Sequence, residues 1–182
     1  MIQPPPPFLL RTLKLSDIPA VLAIEQQSLP TPRTEHLYRY ELGQNDLAHY
    51  SGLLRREAPQ VEKLLGYAGY WIIADEAHLS MIAVDPAWRR CGLGEFLLLD
   101  VLFEALARPC SLVTLEVRRS NEAAQALYKK YRFDEVGHRR NYYRDTGEDA
   151  LLMTVTLGAQ PDYETFLHER WQDVQFRLSL RA

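Results

Sequence analysis

The sequence predicts a mixed α/β domain built around one sheet. Three observations carry this. Its elements follow the order strand, two helices, three strands, helix, strand, helix, two strands, helix, which suits helices laid on a single sheet. The stretch 64–74 is rich in strand-forming types: Tyr67, Tyr70, Trp71, Ile72 and Ile73. The stretch from Gly92 to Ala107 is apolar almost all round, with only Asp100, Glu104 and Arg108 as a narrow polar stripe, as in a helix covered on most sides.

Each element has its own signal. Phe8 to Leu13 reads as a strand. Ser16-Asp17 then looks like a helix start, with Pro19 tolerated in the first turn and a stop at Pro30-Thr31-Pro32. A second helix starts near Thr34. Two strands near 48–56 and 64–74 flank a turn at Ala58-Pro59. His78 to Val84 is a strand closed by Asp85-Pro86, and Leu112 to Val117 is a short apolar one. From Asn121 to Tyr131 the apolar residues Ala124, Leu127, Tyr128 and Tyr131 recur at helical spacing. Strands at about 133–143 and 150–157 flank Asp145-Thr146-Gly147. A last helix fits 162–178, with Tyr163, Leu167, Trp171, Val174 and Leu178 as its stripe and the sheet as the expected packing partner. The expected division is a flexible, proline-rich arm at 1–7, one domain at 8–157 and a helical extension at 158–182.

Composition narrows the function. The chain has 182 residues, enough for one well-filled core. Its formal net charge is −3, against a nucleic-acid binder working by counterion release. No run of eighteen apolar residues suggests a membrane span, and four prolines after Met1-Ile2-Gln3 do not make a signal peptide. Two cysteines, Cys91 and Cys110, give no disulfide framework, so a reducing cytoplasm is expected. Five histidines, at 36, 49, 78, 138 and 168, have no metal-ligand spacing, and each reads as a surface or satisfied side chain.

The chemistry centres on Arg89-Arg90-Cys91-Gly92-Leu93-Gly94, between a strand and a helix. Glycines there let the backbone approach a ligand closely. Unpaired amides at the helix start and the helix dipole favour an anion such as a pyrophosphate, and arginines add charge-assisted contacts. By itself the hexapeptide serves equally as a strand-to-helix turn. It is not a dinucleotide fingerprint, since the third glycine would fall at Leu97.

Taken with its surroundings, the segment becomes a signature. Ile82-Ala83-Val84-Asp85-Pro86 precedes it. Leu115-Glu116-Val117-Arg118, Ser120-Asn121-Glu122-Ala123-Ala124 and Ala126-Leu127-Tyr128 come after it. In that order these motifs resemble the GNAT superfamily of N-acetyltransferases. Arg139-Arg140-Asn141-Tyr142-Tyr143 and Glu148-Asp149-Ala150 resemble its ribosomal-protein-alanine N-acetyltransferase branch. The resemblance implies a mixed, mostly antiparallel twisted sheet of about seven strands flanked by helices, here with an extra C-terminal helix. It implies acetyl-CoA as co-substrate, no metal, direct attack of an amine in a ternary complex, and a protein N-terminus as acceptor.

It also implies roles. Glu116 matches the general base, and Tyr128, twelve residues on, the general acid. On their own, Glu116 reads as a strand carboxylate paired with Arg118, and Tyr128 as a core aromatic. Ile82, Ala83 and Val84 match the strand that pairs with pantetheine. Arg89, Arg90, Cys91, Gly92, Leu93 and Gly94 match the pyrophosphate loop. Asn121 matches a pantetheine contact, and equally a helix cap. Tyr142 matches a residue holding the substrate's terminal backbone, whereas strand alternation turns Tyr143 to the other face. The family often carries an aromatic, a proline and a tryptophan after its first helix. Here Thr31-Pro32-Arg33 stands in that place, so Arg33 is carried as a substrate contact of altered character. The alternatives are a GNAT enzyme for a small amine or a lysine side chain, and a non-catalytic acyl-CoA-binding module. A monomer or weak dimer is expected.

Overall fold

A computed structural model describes residues 1–158 and 161–181. The strands are β1 (Phe8–Thr12), β2 (Ala48–Ala58), β3 (Val61–Ile73), β4 (Glu76–Val84), β5 (Leu112–Arg118), β6 (Asp134–Tyr143) and β7 (Glu148–Thr156). The helices are α1 (Ile18–Ser28), α2 (Glu35–Gly43), α3 (Leu93–Leu106), α4 (Glu122–Lys130) and α5 (Tyr163–Ser179). The strands form one sheet in the order β1-β2-β3-β4-β5-β7-β6. Every pair is antiparallel except β4 with β5. The mixed, mostly antiparallel sheet of seven strands is thus as the motifs imply.

The parallel pair is short. Glu76 to Leu79 lie opposite Leu112 to Leu115, and beyond them no ladder joins the strands. β4 runs on to Val84 and β5 to Arg118, so a fork opens in the middle of the sheet. β4 also carries a bulge. Its register against β3 steps from Leu79↔Tyr70 to Met81↔Gly69, leaving Ser80 without a partner. An extra residue on one strand reverses the facing of the residues beyond it. Ala77 and Leu79 accordingly belong to the core under α3, whereas Met81 and Ala83 join the core under α1 and α2. Ile82 and Val84 turn back to the α3 side.

The two faces are covered unequally. α3 lies on one, with Phe96, Leu97, Leu98, Leu99, Val101, Leu102 and Ala105 fully buried. α1 and α2 cover the other through Ile18, Val21, Ile24 and Tyr38. Thr34 caps α2 by accepting from Leu37 N. The C-terminal stripe does not pack on the sheet as expected. α5 lies against α3, with Leu167, Val174 and Leu178 fully buried and Trp171 edge-on to Phe103. α3 already fills that face of the sheet, so the next apolar stripe has only α3 to cover.

The N-terminal arm lies in part against the domain. Pro4 is buried, Ile2 packs on the core, and Gln175 Nε2 donates to Gln3 O at 2.7 Å. Asp100, on the supposed polar stripe of α3, is only 1% exposed. The expected domain end abuts residues 159 and 160, which lie outside the described ones.

One buried polar knot fixes α1, α2 and β3. Glu25 Oε1 accepts from Tyr38 Oη at 2.6 Å and from Tyr67 Oη at 2.7 Å, and the hydroxyls lie 2.7 Å apart. Its other oxygen accepts from Arg33 N at 2.6 Å. All three side chains are inaccessible, and burial pushes both phenols up, so they stay protonated as donors. Glu25→Ala strands two buried hydroxyls at about 1–3 kcal/mol each. We expect a loss of about 3 kcal/mol in urea unfolding, and a smaller loss for Tyr67→Phe.

Candidate active site

The fork brings the candidate residues together. Val113, Leu115 and Val117 of β5 face α3, so Glu116 points to the opposite face, as His78 does from β4. Glu116 stands one residue past the last rung of the ladder. Its side chain is 7% exposed. Oε2 lies 2.7 Å from His78 Nε2 and Oε1 lies 3.1 Å from an Arg139 nitrogen. The hydrogen bond from His78 holds the carboxyl below the usual carboxylate range. Burial opposes this, and electrostatic attraction to His78 and Arg139 supports it.

The pairing with Arg118 that the sequence suggested does not form. Arg118 turns to Asp145 at 2.6 Å and Glu148 at 3.4 Å, with its guanidinium 3.9 Å above the Tyr143 ring. Sequence reasoning missed His78 and Arg139 as partners. His78 lies 38 residues from Glu116, and only the knowledge that β4 and β5 are parallel neighbours joins them.

Tyr128 is buried on α4 against Phe133, ring centroids 5.7 Å apart, and its hydroxyl makes no hydrogen bond among the described residues. Burial, aided by Tyr143, keeps this phenol protonated well above neutral pH. The Tyr143 hydroxyl in turn reaches the Glu116 carbonyl at 3.5 Å. The expected opposition of Tyr142 and Tyr143 fails. Their rings meet edge to face at 5.2 Å, because the β6–β7 register breaks between Arg139 and Tyr143 and Asn141 sits at φ 50°. Both tyrosines therefore belong to one surface.

Past the fork, Asp85 Oδ1 accepts from Ala87 N at 2.9 Å and closes a tight turn. The loop then bends through Arg90 at φ 61° and Gly92 at φ 90°. Gly92 caps α3, its carbonyl accepting from Phe96 N at 2.9 Å. The amides of Leu93, Gly94 and Glu95 form the first turn, which has no intrahelical acceptors. Arg89 Nε folds back to Val84 O at 3.4 Å. Arg90 and Cys91 line a shallow pocket with Arg177, Leu180 and Arg181. Asn121 caps α4, Oδ1 accepting from Ala124 N at 3.2 Å.

Glu95, on the first turn of α3, ties this corner together. It accepts from Lys130 at 2.5 Å, Tyr131 at 2.8 Å and Arg177 at 2.7 Å. Burial works against its charge, and these three donors hold it ionised below the usual range.

A strap crosses the mouth of the fork. On one side Arg33 Nη2 donates to the bulge carbonyl of Ser80 at 2.8 Å. On the other, Thr31 Oγ1 donates at 3.0 Å to Asp145, which Arg118 holds. Arg33 thus anchors the α1–α2 loop to β4.

These features fit acetyl-CoA. A strand edge without a neighbour suits a linear chain of amides. A left-handed Gly92 before exposed first-turn amides suits a pyrophosphate. Among the described residues no cluster of His, Cys, Asp and Glu could hold a metal, and no helix is long and apolar enough to cross a membrane.

A seven-stranded sheet split between β4 and β5, the only parallel pair among the described residues, with a left-handed glycine and unpaired first-turn amides at one end of the split, is the frame of an acyl-CoA-dependent transferase. Residues 18–133 match the acetyltransferase (GNAT) family model, and the chain belongs to that family. It is an acetyl-CoA-dependent N-acetyltransferase. It is 40% identical over 147 residues to a Bacillus subtilis protein named provisionally as a ribosomal protein bS18-alanine N-acetyltransferase, covering 81% of this chain and 94% of the relative. The Escherichia coli ribosomal protein bS18-alanine N-acetyltransferase is 36% identical over 148 residues, 80% of this chain and 95% of its own. The crystal structure of the Escherichia coli ribosomal-protein-S18-alanine N-acetyltransferase superposes with a TM-score of 0.74 at 34% identity, covering 85% of this chain and 97% of that one.

The loop geometry gives a direct test. Gly92→Ala forces a Cβ into the left-handed region, at about 1–2 kcal/mol, and it would meet Arg177, Val174 and Leu178 at 3.6–4.0 Å. We expect a lower unfolding free energy and weaker acetyl-CoA binding by calorimetry.

Proposed function

We propose that this enzyme transfers acetyl from acetyl-CoA to the N-terminal α-amine of a protein. The N-terminal alanine of ribosomal protein bS18 is the first substrate to try, because the relatives matching four fifths of the chain bear that name. The structural observation carrying the reading is the strap. Thr31 bonds Asp145 and Arg33 bonds Ser80, and Tyr142, 43% exposed, stands near Glu116. A free chain end can come in beside that strap, and its backbone can lie along the two tyrosines.

The roles follow from environment. An α-ammonium group has a pKa near ~8 and must lose a proton before it attacks. Glu116, held ionised, receives that proton directly or through water. The amine then attacks the thioester carbonyl, the C–S bond breaks, and the nitrogen gives up its second proton to solvent, from which Tyr128 is afterwards reprotonated. Tyr128, kept protonated by burial, gives its proton to the leaving sulfur. The exposed edge of Ile82, Ala83 and Val84 takes the pantetheine arm, and Asn121, whose Oδ1 is spent on its cap, offers its NH2. The loop from Arg89 to Gly94 takes the pyrophosphate. Tyr142, and Arg33 through the loop it anchors, border the peptide.

Thiol release is the assay. Peptides with varied first residues are compared with an N-terminally blocked, lysine-bearing peptide and with small polyamines. Release with free N-termini alone is expected. Release with the blocked peptide or the polyamines overturns the acceptor assignment, and acetyl-CoA binding without release on any acceptor favours a non-catalytic module. Glu116→Gln should lower kcat about 100-fold with acetyl-CoA affinity unchanged. Full activity in that variant refutes the base.

A further inference from the structure

Glu116 is unevenly satisfied. Its carboxylate can only accept, so the 2.7 Å contact requires His78 to carry its proton on Nε2 and donate it to Oε2. Nδ1 of the neutral ring is then a lone pair, with no hydrogen-bond partner among the described residues. Oε1 differs. Arg139 is near enough for an ion pair at 3.1 Å, but no hydrogen bond is aligned, and Oε1 is a buried oxygen without one. A buried carboxylate oxygen left in this state is an acceptor in search of a donor.

His78 is well fixed for a partly exposed ring. Its side chain is 26% exposed. It tilts against Trp71 with ring centroids 5.7 Å apart, and the Trp71 indole donates to Glu41 Oε2 at 2.7 Å. Glu116 from β5 touches it directly, Arg139, Tyr142 and Tyr143 from β6 lie about that carboxylate, and Glu41 from α2 lies beyond Trp71.

We propose that His78 is a positioning residue for acetyl transfer: by donating Nε2–H to Oε2 it fixes the Glu116 rotamer so that Oε1 faces the incoming amine. The inference rests on the reading of Glu116 as the base. The proton balance is simple. The substrate ammonium gives one proton to Oε1, its nitrogen lone pair is freed for attack, and His78 keeps its own Nε2 proton throughout.

Three variants test this with the full chain, acetyl-CoA and a free N-terminal peptide. His78→Leu removes the donor. We expect kcat to fall about 100-fold, the scale of a misplaced reacting group, with acetyl-CoA affinity unchanged. His78→Gln can place an amide N–H where Nε2–H stood. It should restore most of kcat. Wild-type kcat in His78→Leu refutes the positioning role, and a folded His78→Gln with no recovery of kcat over His78→Leu refutes the role of the Nε2–H donor. If His78→Leu does not fold by circular dichroism, His78→Gln alone decides. Full activity in Glu116→Gln refutes the base itself; loss there with an unaffected His78→Leu refutes only this inference.

Discussion

The rest of the molecule depends on two parallel strands that pair for four residues and then part. Parallel neighbours need a crossover, and α3 is that crossover. Its N-terminus is therefore delivered to the open end of the split, where first-turn amides are unpaired. A strand edge without a neighbour and a helix start without acceptors lie in one line. The bulge at Ser80 completes the arrangement by turning Met81 and Ala83 toward α1 and Ile82 and Val84 toward α3. Backbone alone thus leaves an open strand edge and a helix start without acceptors at the same end of the split.

Side chains then gather around the gap. Glu116 comes from β5, Tyr128 from the helix after it, and the strap from the α1–α2 loop and the β6–β7 turn. The Glu25 knot holds the first of those segments, since it accepts from the amide of Arg33 as well as from two tyrosines. A buried network remote from the reacting atoms therefore governs how the mouth is shaped.

Much of this was legible in the sequence, for local reasons. Asp85-Pro86, the glycines of the loop, and the helical spacing of Ala124, Leu127, Tyr128 and Tyr131 each act within one element, so order and element type could be read directly. What escaped was contact between elements. Glu116 reads naturally as a partner of Arg118 two residues away, but both β7 and the hairpin turn offer Arg118 carboxylates. His78 reads as one satisfied histidine among five until strand order sets it beside Glu116. Tyr142 and Tyr143 obey alternation only if β6 is regular, and Asn141 makes it irregular. The apolar stripe of α5 announces burial but not against what.

The last helix braces the loop between β4 and α3 from outside. Val174, Arg177 and Leu178 lie nearest to where a Gly92 side chain would stand, and Arg177 shares Glu95 with the end of α4. The left-handed bend at Gly92 is thus one wall of the surface on which α5 packs. The residues that close the chain's last core contact are the same ones that keep this bend in shape.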